Sequence, residues 1–221
     1  MTKKLFLTLY CIALTGFARG QGLHRFYENG KAGYRNDSGE IVIAAGYDAG
    51  SELINGFAIV VQGGLRGYIN SQGQLQIPLI YRDANPFENG YASVKLGDRY
   101  GFINVIGNWV VEPAYEEVYA FAENRALVKK EGKYGFVDKE LKAVIPTQYQ
   151  WASGFSEGLA VVRIEGKYSF IDPQGNTGLE GEFDTAGLFH QGEAVVTAGG
   201  KTYVINKEGK MIREINMPIV K

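Results

Sequence analysis

Cysteine is nearly absent from this chain: Cys11 is the only one among 221 residues, and it lies in an apolar run near the N terminus. Disulfide frameworks, thiol redox chemistry and cysteine-based metal sites are therefore excluded from everything that follows that run. Histidine is almost as scarce. His24 and His190 stand far apart and without a companion cysteine, which is no basis for a metal centre or a catalytic triad. An excess of charge of one sign is lacking too. The 23 basic and 24 acidic residues leave no basic field for nucleic acid or anionic lipid. Proline is sparse, at 6 residues. Long apolar runs are missing except for residues 5–18, which are too short to span a hydrocarbon core of roughly 30 Å. Preceded by Lys3 and Lys4 and followed by Ala18-Arg19-Gly20, that run reads as a secretory signal peptide covering residues 1–20, with cleavage expected between Gly20 and Gln21. Tyr10 precedes Cys11 where a lipoprotein signal would carry a small residue, which argues against lipidation. Without Lys3, Lys4 and Arg19 the balance is 20 basic against 24 acidic residues, and no cysteine remains. The expectation is a periplasmic or secreted protein with no membrane span, no nucleic-acid partner and no cofactor.

What the chain has in abundance is glycine, 30 residues, about twice ordinary usage, together with 13% aromatics. Such apolar content excludes a disordered chain, and this much glycine weakens helix interiors. No Gly-X-Y period is present, so collagen is excluded as well. The glycines are expected to serve turns.

Internal self-similarity explains them. Arg99-Tyr100-Gly101-Phe102-Ile103-Asn104 returns 34 residues later as Lys133-Tyr134-Gly135-Phe136-Val137-Asp138 and again as Lys167-Tyr168-Ser169-Phe170-Ile171-Asp172. The same ruler reaches Gly33 and Gly67 on one side and Tyr203 on the other. A second block keeps step, with Ala58, Ala92, Ala126, Ala160 and Ala194, and Val60, Val94, Val128, Val162 and Val196. Between the blocks fall Tyr47, Tyr81, Tyr115, Tyr149 and Phe183, then Leu53, Phe87, Phe121, Phe155 and Phe189. A fixed period of this length is the mark of a repeat architecture.

The unit, with Lys-Tyr-Gly-Phe-Ile-Asp, a glycine-containing turn, Val-Ile-Pro, a tyrosine and then Phe-x-x-Gly-x-Ala-x-Val, resembles the bacterial WG-containing repeat family, also called KWG repeats. The resemblance covers essentially everything after the signal peptide. The aromatic before glycine is often tryptophan in that family, whereas here the place is held by Tyr100, Tyr134, Ala32 or Arg66. The resemblance implies a secreted or envelope-associated repeat scaffold and brings no catalytic motif.

Each unit also reads independently of the family. Alternation through Tyr134, Phe136 and Asp138 has the two-residue period of a strand. An Asn or Asp ends each such strand (Asn36, Asn70, Asn104, Asp138, Asp172, Asn206), with glycine three residues on except at Leu141, the pattern of an Asx-started hairpin turn. The same oxygens could be read as calcium ligands, but each unit supplies only one, so the turn reading is preferred. The recurring base at Lys31, Arg99, Lys133, Lys167 and Lys201 reads as a solvated strand end rather than an anion-binding rim. The sequence predicts an all-β protein of tandem 34-residue, three-stranded units near 30–63, 64–97, 98–131, 132–165 and 166–199, with half-repeats at 21–29 and 200–215, all within one repeat domain over 21–221. Two arrangements are open. If residues 24–26 complete the unit begun at 201–212, strand exchange closes a propeller-like ring; otherwise the units form an open β-repeat array capped by the half-repeats.

In a repeat protein a functional residue is expected to break the pattern. Trp151 does so, standing where other units have Ala49, Asp83, Glu117 and Thr185, and it is the candidate binding residue for a sugar or a protein partner. Trp109 aligns with Ile41, Leu75 and Ala143 and reads as core. His24 replaces the recurring alanine. Glu116 with Glu117, and Glu180 with Glu182, are close acid pairs, yet neighbours on a strand point to opposite faces, and a glycosidase needs two carboxylates converging across about 5 to 10 Å. The expected function is a non-catalytic binding or scaffold module working through its connectors on an unidentified protein or glycan partner in the cell envelope. The alternatives are a carbohydrate-active enzyme and a purely structural envelope component.

Overall fold

The computed structural model describes residues 22–215, so the expected signal peptide, its cleavage site and Cys11 lie outside the described residues. All regular structure among the described residues is β: 23 strands form six antiparallel sheets, at 23–47, 49–81, 83–115, 117–149, 151–183 and 185–215. None of the sheets closes into a barrel. The all-β repeat array expected from the sequence is the observed fold, with one strand more than the three foreseen in every sheet but the first.

The sheet at 49–81 shows how the sequence is used. A two-residue lead-in strand, Ala49–Gly50, is followed by Phe57–Gln62, Leu65–Asn70 and Leu75–Tyr81, each paired with the next in chain order. The lead-in strand is contributed by the connector and recurs in every sheet but the first. Phe57–Gln62 and Leu65–Asn70 are joined by Gly63-Gly64, both at positive φ, the type I′ geometry that matches strand twist. Asn29-Gly30, Glu131-Gly132, Glu165-Gly166 and Gly199-Gly200 repeat it. Sheets and sequence units thus differ in phase: residues 63 and 64, where one unit gives way to the next, form a hairpin tip inside a sheet, and the chain leaves one sheet for the next near Tyr47, Tyr81, Tyr115, Tyr149 and Phe183.

The Asx turns close the second hairpin of each sheet. The Asp138 Oδ1 accepts hydrogen bonds from the backbone N–H of Glu140 at 3.0 Å and of Lys142 at 2.9 Å, and Asn70, Asn104, Asp172 and Asn206 do the same in their own turns. These side-chain oxygens are therefore committed to the turn. Many of the recurring bases are likewise engaged: Lys31 pairs with Asp48 at 2.6 Å, Arg99 with Glu116 at 2.9 Å and Lys167 with Asp184 at 2.5 Å, holding successive strands at the sheet-to-sheet corner.

The glycine of the Tyr-Gly block has a specific cause. Tyr134 faces Tyr149 and Phe136 faces Ile145, so the single residue between them, Gly135, lies under an arch formed by three residues, 146–148. A Cβ there would meet the Ile145 carbonyl oxygen at 2.6 Å and Pro146 backbone atoms at 2.7 Å. Pro146 sits in the arch, where no ladder N–H is required. The exceptions follow the same rule. At Ser169 the arch contains Gly181 at φ 126, which bends it differently, and at Tyr203 the ladder runs Thr202–Ile215, Tyr203–Glu214, Val204–Arg213 without an arch.

Each of the four inner sheets buries two faces, and each end sheet buries one. In an inner sheet the Ala-x-Val side chains pack on the preceding sheet, and the aromatic after the block glycine packs on the following one. Five core clusters result, each shared by two successive sheets. The recurring connector phenylalanine plugs the gap: Phe87 lies 4.9 Å from the Tyr68 ring and 4.6 Å from Phe57, Phe155 4.9 Å from Phe136, and Phe189 5.1 Å from Phe170.

The strand-exchange version of closure is corrected by the pairing. Residues 24–26 pair with 33–35 in their own hairpin, while Lys201–Asn206 lies between Glu193–Ala198 and Met211–Ile215. A two-residue turn brings the local partner at almost no loop-closure entropy, whereas the distant one would require ordering the whole array first. The outward faces of the end sheets are also polar. Arg213 occupies the place of Ile43, Ile77, Val111, Ile145 and Leu179 and makes a two-pronged ion pair with Glu193 at 2.9 and 3.2 Å. At the other end His24 and Arg35 replace the recurring alanine and isoleucine, and His24 reaches Asp37 at 2.7 Å. Polar terminal faces are how solenoid arrays stop propagating.

Four of the buried aromatics are tyrosines, and two of them, Tyr34 and Tyr68, are fully enclosed. Tyr34 donates to the Ser51 carbonyl at 2.9 Å and Tyr68 to that of Asn85 at 2.6 Å, and burial pushes both phenols well above their ordinary range. Tyr100, raised to about 12 by burial and by its bond to Asp83, follows the same course. A folded-state pKa above the unfolded value of 10.0 means that the unfolded chain releases the proton first. Stability is then fully present below pH 10 and is lost as pH rises through about 12. In an alkaline titration, tyrosinate absorbance from these rings should rise together with loss of the β circular-dichroism signal; their ionisation in a still-folded protein would contradict the burial described.

Candidate functional site

One position per half-repeat defines a row along the array. Residues 32, 49, 66, 83, 100, 117, 134, 151, 168, 185 and 202 are spaced by 17, alternating between the residue before the block glycine and the first residue of the lead-in strand. Within a sheet the lead-in residue lies opposite a fixed partner: Ala49 opposite Val61, Asp83 opposite Lys95, Glu117 opposite Lys129, Trp151 opposite Arg163, Thr185 opposite Thr197. The partners match in kind, apolar with apolar, acid with base, hydroxyl with hydroxyl, as cross-strand neighbours do. Trp151 with Arg163 is the departure.

Chemistry along this row changes from sheet to sheet. In the third sheet the Tyr100 hydroxyl donates to Asp83 at 2.6 Å, with the Lys95 ammonium 5.3 Å from the Tyr100 ring centre. In the fourth, Glu117 accepts from Lys129 at 2.8 Å and from Tyr134 at 3.4 Å, and Lys129 lies 5.2 Å from the Tyr134 ring. In the fifth, the Arg163 guanidinium sits 5.5 Å from the Tyr168 ring, and Trp151 meets that ring edge-on at 5.9 Å.

Between the fourth and fifth sheets the row opens into a groove of about 510 Å³ lined by Tyr119, Leu127, Tyr134, Trp151, Ser153 and Gly154. Trp151 is 40% exposed and Tyr119 47% exposed, large aromatic surfaces left to solvent on either side. Tyr119 was not foreseen from the sequence. It stands where other units have Ser51, Asn85, Ser153 and Gly187, so the signal was there: an aromatic in a column of small polar residues. Its placement comes from the lead-in strand Glu117–Ala122, which continues for six residues with an irregularity between Val118 and Phe121. The Tyr119 hydroxyl donates to Glu117 at 2.5 Å; this bond, then burial, raises the phenol above its ordinary range. Lys129 foremost, and Tyr119 next, hold the Glu117 carboxyl below its ordinary range. At neutral pH the pair is a fixed ionised acceptor and a fixed protonated donor, suited to hydrogen bonding rather than to passing protons.

The remaining sequence candidates fall elsewhere. Trp109 packs against the core between the second and third sheets, edge-on to Tyr81 at 6.0 Å. Glu116 is bound to Arg99 and to the Gly132 N–H, away from the partners of Glu117. Glu180 and Glu182 are exposed on either side of Gly181. His190 is exposed in a turn that pairs its backbone with Glu193. Among the described residues no group of three or more His, Cys, Asp and Glu side chains is placed to hold a metal ion, and no helix is long and apolar enough to cross a membrane.

No curated protein sequence matches the chain. Among solved structures, Hsv2 from Kluyveromyces lactis is 10% identical with a TM-score of 0.43, over 72% of this chain and 60% of that one. A eukaryotic initiation factor is 11% identical with a TM-score of 0.50, over 92% of this chain and 66% of that one, a likeness of fold alone. The chain spans about six-tenths of the length of the Hsv2 structures it matches. The family model for the WG-containing repeat matches five times in tandem, at residues 33–65, 67–100, 100–134, 134–168 and 168–201. With most of its length covered by consecutive copies of that unit, the chain belongs to the WG-containing repeat family.

Proposed function

We propose that the protein is an exported, non-catalytic binding module whose ligand seat is the groove between the fourth and fifth sheets. The observation that carries this reading is Trp151. It is the one row position at which a large aromatic replaces a small or acidic residue of the lead-in strand, and it stands exposed beside the groove. An exposed indole lining the same groove as Tyr119 offers a flat apolar platform on which a ring-shaped ligand is held. The scaffold role follows from the array, which places the platform on a sheet packed on both sides. Export rests on residues 1–20, and N-terminal sequencing of the mature protein should begin at Gln21.

Trp151→Ala should abolish retention on a glycan array while changing stability by only about 1 kcal/mol, since the ring contributes one edge-on contact and little burial. An array signal unchanged by the substitution would remove the groove from consideration.

A further inference from the structure

The row of cross-strand pairs contains an unfilled place, and it identifies the chemistry of the ligand. In the fourth sheet the base, the tyrosine and the lead-in acid form a complete set, Lys129, Tyr134 and Glu117, whereas in the third Asp83 is bonded to Tyr100 and paired with Arg66 of the preceding sheet while Lys95 lies over the Tyr100 ring. In the fifth sheet base and tyrosine are kept, as Arg163 and Tyr168 in the same cation–ring arrangement, but the acid has been exchanged for Trp151. Arg163 is exposed, it makes no ion pair with any described carboxylate, and the Tyr168 hydroxyl makes no hydrogen bond within the described residues. The guanidinium is thus uncompensated beside the platform, whereas the lysine of the neighbouring sheet is neutralised by Glu117.

We infer that the ligand is an acidic oligosaccharide, its sugar ring stacked on Trp151 and its uronate carboxylate paired with Arg163 and Tyr168 in place of the side-chain acid that the preceding sheet supplies. The inference rests on the binding reading above. Arg163 offers planar, two-pronged donation that a carboxylate matches. On the fourth-sheet side of Trp151 the groove, lined by Tyr119 and Tyr134, offers fixed polar groups to the next sugar of the chain, while Arg163 and Tyr168 flank the indole outside the groove lining. A stack on an indole combined with many edge hydroxyl contacts suits a glycan better than an acidic peptide, whose side chains would leave those polar groups unmatched.

The test is calorimetric titration of the full chain with size-matched galacturonate and galactose oligosaccharides, using the wild type, Trp151→Ala and Arg163→Gln. The expected result is that the galacturonate oligomer binds the wild type about tenfold more tightly than the neutral one, a charge-assisted hydrogen bond being of that order. Arg163→Gln should remove this preference and leave neutral binding in place, and Trp151→Ala should abolish both. Equal binding of the two sugars, unchanged by Arg163→Gln, would overturn the acidic assignment while leaving the Trp151 seat intact. Absence of binding to either sugar, with capture of a poly-glutamate peptide instead, would overturn it in favour of a protein partner. Absence of all three would remove the binding reading itself.

Discussion

Phe87→Ala is expected to destabilise the protein by about 3–5 kcal/mol, the range for deleting a fully buried phenylalanine whose cavity cannot collapse. Phe87 is 2% exposed and wedged between two rings, Phe57 and Tyr68, contributed by the preceding sheet. Its backbone is also fixed, because its carbonyl accepts from the Asn55 Nδ2 at 2.7 Å, so the connector cannot follow the missing ring inward. For a domain of this size such a loss lowers the melting temperature by roughly 10 °C. The corresponding Phe121 of the next unit is only half-buried and should cost less. Thermal denaturation of both variants checks the difference, and equal shifts would show that the connector phenylalanine does not act as the plug between sheets. Because each sheet packs only on its neighbours, the Phe87 variant should also lose protection from hydrogen exchange most strongly in the second and third sheets.

Gly135→Ala is the second large effect, about 2–3 kcal/mol, and its cause is steric rather than hydrophobic. The added methyl would lie 2.6 Å from the Ile145 carbonyl oxygen and 2.7 Å from Pro146, all backbone atoms, so relief requires moving the return strand. That strand is held on both sides of the arch, by Phe136 facing Ile145 and Tyr134 facing Tyr149. The reverse change, Ser169→Gly, should alter stability far less, because the arch over Ser169 already contains Gly181 in a conformation other residues rarely adopt. Chemical denaturation of the two variants makes the comparison. A Gly135→Ala protein as stable as the wild type would mean that the glycine recurs for some reason other than the arch.

The two ends of the array explain why the sequence left ring and array both open. The 34-residue period and its half-repeats are one-dimensional facts, compatible with either pairing partner for residues 24–26. What separates them is chain entropy together with the identities of a few residues in the terminal sheets. Arg213 at one end, and His24 and Arg35 at the other, break columns that are aliphatic or small in most of the intervening sheets. Aligned on the strand ladder they mark where packing stops; read along the chain they look like scattered exceptions. The offset between sequence unit and sheet has a similar origin. The strongest sequence block begins at the Tyr-Gly strand, but that strand occupies an interior position of its sheet, since the glycine needs a neighbour on each side.

The candidate site was partly legible in the same way. Trp151 stood out because it broke a column. Tyr119 broke a column as well and was overlooked, whereas Arg163 and the pairing of acid, base and tyrosine did not stand out, because their meaning depends on which columns face each other. A spacing of 17 places two different strands of one sheet on a common row only after the lead-in strand has formed, and that strand is two residues long in most sheets, too short to carry a periodic signal.

The sequence by itself determined the β architecture, the 34-residue unit, the Asx hairpins and the family, because each is written in local residue types and repeated until chance is excluded. Only the tertiary structure decided where one sheet ends and the next begins, that residues 24–26 stay with their own hairpin, and that Arg163 stands without the carboxylate its counterpart in the fourth sheet has. Those outcomes depend on contacts between residues distant in sequence, where sterics at the arch, burial between sheets and the pairing of charges across strands select one register among several that the periodic pattern allows.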